Sequence, residues 1–319
     1  MDSVLKDIAI LVSPVASGAY FNETLEVAQK EFVHCVGDFE LKIENLCGMQ
    51  FLITQLPQTK LPHLARLSFV QGVFIYENGA LTPIEIDAGF NLHSDFVFGS
   101  KYKGKTNEVL TQLLLNVGLS YTKEKDLSKL KLLDPMCGRG TTLMWAMRYG
   151  IKSKGIEQDA NAVLDFRTFA KKWTKLHRQK HVLKEGFIGK ANKQNKGKFV
   201  DFTANEVNTR IINGNATTAC DLLKREKQHL IISDIPYGVQ HFTTEKTRNP
   251  IAVLTECAPQ WVELLHKGGV LVIAFNKYIP KRKELIAVFE DAGLTALDFE
   301  APHRMSESIY RDIVVLRKN

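Results

Sequence analysis

Two short stretches of this chain combine glycines, carboxylates and a Pro-Tyr pair at close spacing. Residues 132–142 read Leu-Leu-Asp-Pro-Met-Cys-Gly-Arg-Gly-Thr-Thr, and further along the chain reads Asp234-Ile235-Pro236-Tyr237-Gly238. In the first stretch, Gly138 and Gly140 remove side chains where backbone must approach a ligand. A helix starting near Thr141 offers unpaired N–H groups to an anion, here the carboxylate of S-adenosylmethionine. Asp134, ending the strand before the loop, is placed to bond that ligand's ammonium, directly or through water. Glu157 lies 19 residues after Gly138, at the end of the next strand, where a carboxylate grips ribose hydroxyls; Gln158 adjoins it. Asn215, followed by Ala216, is placed to bond the adenine amino edge.

The second stretch suits a different task. An exocyclic amine conjugated to a ring is a poor nucleophile, because its lone pair is delocalised. The Asp234 carboxylate and a backbone carbonyl of the loop can accept both N–H groups and turn the lone pair toward a sulfonium methyl, which is catalysis by positioning. Pro236 stiffens the turn, and Tyr237 can stack on the ring. A base already in a duplex must be flipped out to reach such a pocket. The catalytic candidates are therefore Asp234, Pro236 and Tyr237. A nicotinamide enzyme would share the sheet and the ribose carboxylate. Its loop needs a third glycine where Leu143 stands, and Asp134-Pro135 is foreign to it.

The elements that position these loops alternate as a parallel sheet covered on both faces would. Strands are expected at 130–133, 154–157, 210–213, 230–233 and 270–275, with helices at 107–117, 141–148, 160–176, 251–265 and 281–292. Strands at 296–300 and 309–316 would close the sheet as an antiparallel hairpin. Residues 178–205 interrupt the rhythm. They are expected to be a mobile, glycine- and lysine-rich functional insertion or a disordered stretch, since connections in such folds usually span a few residues. Residues 1–95 read as a separate small α+β unit, ferredoxin-like in order. Its strands are placed at 8–12, 39–43, 50–56 and 61–70, and its helix at 23–36. Lys101–Lys105 reads as a basic connector into the second domain, 96–319.

Composition excludes several classes. A hydrophobic content of 45% with 24% charged residues is that of a soluble globular chain, and no apolar stretch approaches a membrane span. The start reads as a first strand and not as a secretory signal, because Asp2, Asp7 and Pro14 spoil that pattern. The five scattered cysteines contain no Cys-x-x-Cys pair and suit a reducing, cytoplasmic setting. His177 and His181 stand at helical spacing with no acid between them, so a solvated basic face is expected there and no metal. Between Lys171 and Lys198 there are ten Lys/Arg and one acid, Glu185. That segment carries +9 of a formal net +7, leaving −2 for the rest. Positive charge concentrated this way is a nucleic-acid footprint.

On these residues the chain resembles the RNA methylase family whose best-known members are THUMP-bearing methyltransferases of guanosine N2 in tRNA and ribosomal RNA. Asp134-Pro135-Met136-Cys137-Gly138-x-Gly140-Thr141 is similar to that family's cofactor loop, which adds Met136, Cys137 and Thr141 to the cofactor candidates. Asp234-x-Pro236-Tyr237-Gly238 is similar to its catalytic loop. Lys103–Thr106 with Leu110–Asn116 resembles the helix that precedes the core and closes over the cofactor. The resemblance covers residues 96–319. Two residues depart from it: Arg139 replaces a small residue and Ile235 a first proline. The 95 N-terminal residues are too few for both a ferredoxin-like domain and a full THUMP domain. The resemblance implies a Rossmann-like class I methyltransferase, with a mainly parallel seven-stranded sheet and closing antiparallel hairpin. It also implies S-adenosyl-L-methionine as cofactor and tRNA or rRNA as partner. The residues alone leave open a DNA adenine-N6 or cytosine-N4 methyltransferase, a protein glutamine methyltransferase, and a non-catalytic cofactor- or RNA-binding subunit. They indicate no membrane, metal or protein partner.

Overall fold

A computed structural model describes residues 5–14, 23–102, 105–189, 197–235, 250–306 and 309–319. The chain divides into two compact units, residues 1–89 with 301–311, and residues 90–300 with 312–319.

The first unit contains β1 (Leu5–Val12), α1 (Thr24–Cys35), β2 (Lys42–Leu46), β3 (Met49–Pro57), α2 (Leu61–Leu64), β4 (Val70–Glu77) and β5 (Ala80–Ile84). Its sheet runs β2-β3-β1-β4-β5, with antiparallel neighbours throughout. Ile8, Ile10, Phe32, Phe51 and Leu52 are sealed from solvent in its core. The expected strand at 61–70 is not there. Pro62 sits in the first turn of the short helix α2, where its missing N–H costs nothing, and the strand begins only at Val70.

The second unit contains α3 (Asp95–Phe98), α4 (Glu108–Tyr121), β6 (Lys131–Asp134), α5 (Thr141–Arg148), β7 (Lys152–Glu157) and α6 (Ala160–Leu176). There follow β8 (His181–Phe187), β9 (Lys198–Ala204), β10 (Val207–Asn213), α7 (Ala219–Leu222), β11 (Gln228–Asp234), α8 (Ile251–Leu264) and β12 (Leu265–Asn276). The chain ends with α9 (Arg282–Asp291) and β13 (Leu294–Ala296), then β14 (His303–Ser306), which falls in the first unit, and β15 (Ile309–Lys318), which starts in the first unit and finishes in the second. The sheet order is β13-β15-β12-β11-β6-β7-β10-β9-β8, with β14 paired to β15. Strands β12, β11, β6, β7 and β10 run parallel, and β13 runs antiparallel to β15. Seven of these ten strands, from β13 to β10, form the expected class I arrangement, with β13 and β15 antiparallel at one edge, and β8, β9 and β14 extend it. Its central strands are apolar without alternation, and Val270–Phe275 are all buried, as a sheet covered on both faces requires.

The 178–205 segment differs from the expected mobile loop. Strands β8 and β9 form an antiparallel hairpin that extends the sheet beyond β10. Buried Val200 and Phe202 alternate with Asp201, whose carboxylate takes two bonds of 2.6 Å from Arg210. The lysine and glycine content drew the loop reading, while the alternation in 198–204 was the strand signal. Among the described residues no helix is long and apolar enough to cross a membrane.

The closing part of the sheet depends on one cation. Arg282 donates to Asp312 Oδ2 (2.9 Å), to Ile313 O (2.8 Å) and to Phe299 O (2.7 Å), and Asp312 is fully buried. Removing one partner of a buried pair is costly because the other charge stays desolvated. Arg282→Ala should therefore lower unfolding stability by roughly 3 kcal/mol, read as a urea-midpoint shift at unchanged slope. An unchanged midpoint would contradict this role.

Candidate active site

The strand order reverses between β6 and β11. From β6 the chain continues outward through β7 and β10, and from β11 it continues the other way through β12. Open α/β sheets bind ligands at the carboxyl ends of the strands flanking such a point. Asp134 is the last residue of β6 and Asp234 the last of β11.

The loop after β6 is tightly folded. Met136 N–H donates to Asp134 Oδ1 (3.1 Å), Cys137 N–H to Ile156 O (3.0 Å) and Gly140 N–H to Cys137 O (2.8 Å). Gly138 and Gly140 have φ of +52° and +84°. A Cβ on Gly140 would stand 2.6 Å from the Phe166 ring, whereas one on Gly138 would meet nothing within 4 Å. The space over Gly138 is thus open for a ligand. Gly140 precedes α5, whose first turn has no side-chain cap, so its N–H groups remain for an anion.

Glu157 ends β7 and reaches back to this loop. Its carboxylate accepts from Gly138 N–H (2.9 Å) and Asp159 N–H (2.8 Å), one bond to each oxygen, which leaves lone pairs for ribose hydroxyls. Asn213, which is buried, donates from Nδ2 to Glu157 O (3.0 Å) and Gln158 O (3.1 Å). Gln158 itself is exposed. Asn215 caps the turn at 216–218 through a bond from Thr217 N–H to Oδ1 (3.0 Å), leaving its amide nitrogen and a second lone pair outward. Ala216 is buried beneath it, and its carbonyl faces Trp261 Nε1 at 3.4 Å.

Three carboxylates share this end of the sheet. Burial pushes Asp134 up to about 7; bonds from Thr142 and Met136 oppose the rise, and the charges of Asp234 and Glu157 add to it. Burial also raises Glu157, against the backbone bonds from Asp159 and Gly138. Cys137 is raised well above the usual thiol value by burial and by the Asp134 and Glu157 charges. It is a packed thiol and no nucleophile, pressed so close that a Cβ on Gly155 would meet its Sγ at 2.6 Å. Asp234 is half-buried. The next residue, buried Ile235, donates its N–H to Ala274 O (3.1 Å). A proline at 235 would forfeit this bond. Pro236 and Tyr237 lie outside the described residues.

Several contributors escaped the sequence reading. Tyr102 places its hydroxyl 3.3 Å from Thr141 Oγ1 and stacks on Phe169. Arg139 lies 4.6 Å over the Tyr102 ring and pairs with Asp165 (2.6 Å), which explains why an arginine fits where a small residue was expected. Lys105 is no loose connector. Its ammonium binds Val97 O (2.6 Å), Ser100 O (2.7 Å) and the Glu108 carboxylate (2.5 Å). An aromatic inside a lysine-rich connector, and the doubled asparagine in Asn213-Gly214-Asn215, were the signals that could have found them.

The sheet has the class I methyltransferase arrangement, with the candidate cofactor residues gathered at its switch point. Residues 119–295, more than half of the chain, match the family described as RMKL-like, methyltransferase domain (UPF0020), and the chain belongs to that family. A search of curated proteins found no match. Among similar solved structures is TrmN from Thermus thermophilus, 14% identical, with 88% of this chain and 60% of that one covered and a TM-score of 0.46. Another is the magnesium protoporphyrin IX methyltransferase of Synechocystis PCC 6803 with bound SAH, at 10% identity, coverages of 70% and 92%, and a TM-score of 0.45. A third is the 16S rRNA N2 G1207 methyltransferase of T. thermophilus with AdoMet and guanosine, at 14%, 94% and 63%, and 0.41. The chain spans 60% of the TrmN length. Such likenesses concern the fold alone.

The raised Asp134 carboxyl has a consequence for pH. A folded-state value above the unfolded one means that the folded chain binds the extra proton. Its contribution to stability is present at low pH and is lost as pH rises through about 7. The ligand-free protein should thus lose thermal stability relative to Asp134→Asn as pH rises from about 4 to about 7, levelling off above that, and saturating S-adenosylhomocysteine, which brings an ammonium, should reduce that loss. Parallel pH profiles for wild type and variant would refute the assignment.

Proposed function

We propose that the protein transfers the methyl group of S-adenosylmethionine to an exocyclic base amine in RNA, with guanosine N2 in tRNA or rRNA as the preferred acceptor. The observation that carries this reading is the placement of Asp134 and Asp234 at the ends of neighbouring strands, β6 and β11, where the strand order reverses. When bound, the cofactor supplies an electrophilic methyl on a sulfonium. Asp134 holds its ammonium, the first N–H groups of α5 its carboxylate, and Glu157 its ribose. Gln158, Asn215 and Ala216 flank the adenine, while Met136, Cys137, Gly138, Gly140 and Thr141 form the floor.

Asp234 accepts an N–H of the base amine and turns the nitrogen lone pair toward the methyl. Pro236 shapes the loop and Tyr237 stacks on the base. The amine nitrogen takes the methyl from the bound cofactor, which leaves as the neutral thioether, and the Asp234 carboxylate, which holds an N–H of that amine, would be placed to take the proton the nitrogen sheds. Ile235, tied to β12, keeps the start of this loop in place. Asp234→Ala should lower kcat by more than about 100-fold while S-adenosylhomocysteine binding is retained. Turnover at the wild-type rate would sink the mechanism.

RNA as the acceptor is supported by charge. Lys171, Lys172 and Lys175 on the outer face of α6 are exposed, as are Arg178, Lys180 and Lys184 beyond it. Lys190, Lys193 and Lys196 lie outside the described residues, and Lys198 pairs with Glu185 (3.4 Å). Residues 1–95, read as a ferredoxin-like docking domain, complete a cytosolic enzyme of RNA processing. Changing Lys171, Lys172, Lys175 and Lys180 to Gln should weaken RNA binding. The log–log salt slope should fall by about 0.7 for each single-strand phosphate that is no longer neutralised. An unchanged slope would remove this surface from the RNA path.

A further inference from the structure

We infer that His93, Asp95 and His177 bind one divalent metal ion of borderline softness, zinc being the best match, and that this ion fastens the segment leading to the cofactor loop onto the end of α6. His93 lies just before α3, Asp95 opens α3, and His177 is the C-cap of α6. Three ligand atoms, one from each residue, lie within 4.8 Å of one another. His177 Nε2 is 2.9 Å and His93 Nδ1 3.5 Å from the same oxygen, Asp95 Oδ2. Ligands of a tetrahedral ion with bonds near 2.05 Å stand about 3.3 Å apart, and two imidazoles with one carboxylate are a recurrent zinc set that keeps an open fourth position. The His93 and His177 rings now stack with centroids 3.8 Å apart and planes 23° from parallel, so the half-exposed His93 ring must turn about its side-chain bonds to aim its lone pair at a shared ion.

His93 and Asp95 side chains are 52% and 35% exposed, so an ion has an entry path and water can take the fourth position. Coordination through His93 Nδ1 replaces the bond that atom now accepts from Asp95 N–H (3.1 Å). His181, which stands at helical spacing from His177, is not part of the cluster. His181 Nδ1 sits 3.0 Å from Gln179 O, while the partners of His177 come from 82 residues upstream.

The neighbourhood gives the ion a structural task. Trp173, one turn before His177, donates from Nε1 to Ser100 Oγ (2.9 Å). Gly99 packs so closely that a Cβ there would stand 2.4 Å from the Trp173 ring. The far end of α3 is thus held against α6 already, and an ion on His93, Asp95 and His177 would hold the near end. Tyr102 and Lys105, which follow directly, contact the cofactor loop and the start of α4.

The test uses the full chain, stripped with chelator and titrated with Zn²⁺ alone by calorimetry, then with Co²⁺ followed by its visible absorption. One Zn²⁺ per chain is expected, with a rise in thermal midpoint that follows the metal concentration. Asp95→Asn and His177→Gln should each weaken Zn²⁺ affinity at least about 100-fold and abolish the Co²⁺ bands of nitrogen–oxygen coordination. The half-exposed His93→Gln gives the same reading if either of those variants misfolds, as judged by circular dichroism. No Zn²⁺ binding by wild type, or binding that these variants leave unchanged, overturns the inference and leaves a hydrogen-bonded His–Asp–His contact.

Discussion

The Glu157 carboxylate is the joint on which the cofactor end of the sheet depends. It takes the N–H of Gly138 at 2.9 Å and that of Asp159 at 2.8 Å, linking the glycine loop after β6 to the start of α6. Its own carbonyl accepts from Gly214 N–H (2.9 Å) and Asn213 Nδ2 (3.0 Å), which brings in the end of β10. Even a half-buried carboxylate is costly unless backbone N–H groups satisfy it. The loop in turn requires Gly138 in a left-handed conformation and Gly155 without a Cβ, so that Cys137 can turn inward. One residue therefore sets where three strand ends lie.

The charge arrangement follows from the same crowding. Asp134, Glu157 and Asp234 gather negative charge at the switch point, and burial drives Asp134 up to about 7. Such a site is electrostatically unsatisfied without a cationic ligand, and a sulfonium carrying an ammonium is that kind of ligand. The positive charge sits elsewhere, on the outer face of α6 and the adjoining hairpin. Under the proposed function, the acidic switch point would take the cationic donor and the basic surface the polyanionic acceptor.

Much of this was legible in the sequence. The apolar runs of β11 and β12 and the glycine loop between β6 and α5 mark a parallel sheet, because strands buried on both faces leave no alternation. The strand-end positions of Asp134, Glu157 and Asp234 were read from their offsets to those runs. The hairpin of β8 and β9 was hidden because lysines and glycines dominate its composition, although 198–204 alternates. Tyr102, Lys105 and Asn213 were hidden for another reason: each acts through a tertiary contact, and local spacing carries no trace of it. The strand at 70–77 was displaced in the reading by the apolar residues of 61–69, which pack into the core as a helical turn and loop.

The central claim is methyl transfer from S-adenosylmethionine to a base amine in RNA. The most direct test offers purified protein and methyl-labelled S-adenosylmethionine total RNA from cells lacking this protein and, separately, their DNA. The products are then digested and separated as nucleosides. The account requires label in N2-methylguanosine from the RNA. Label confined to a DNA base, or no label in either nucleic acid, would contradict it.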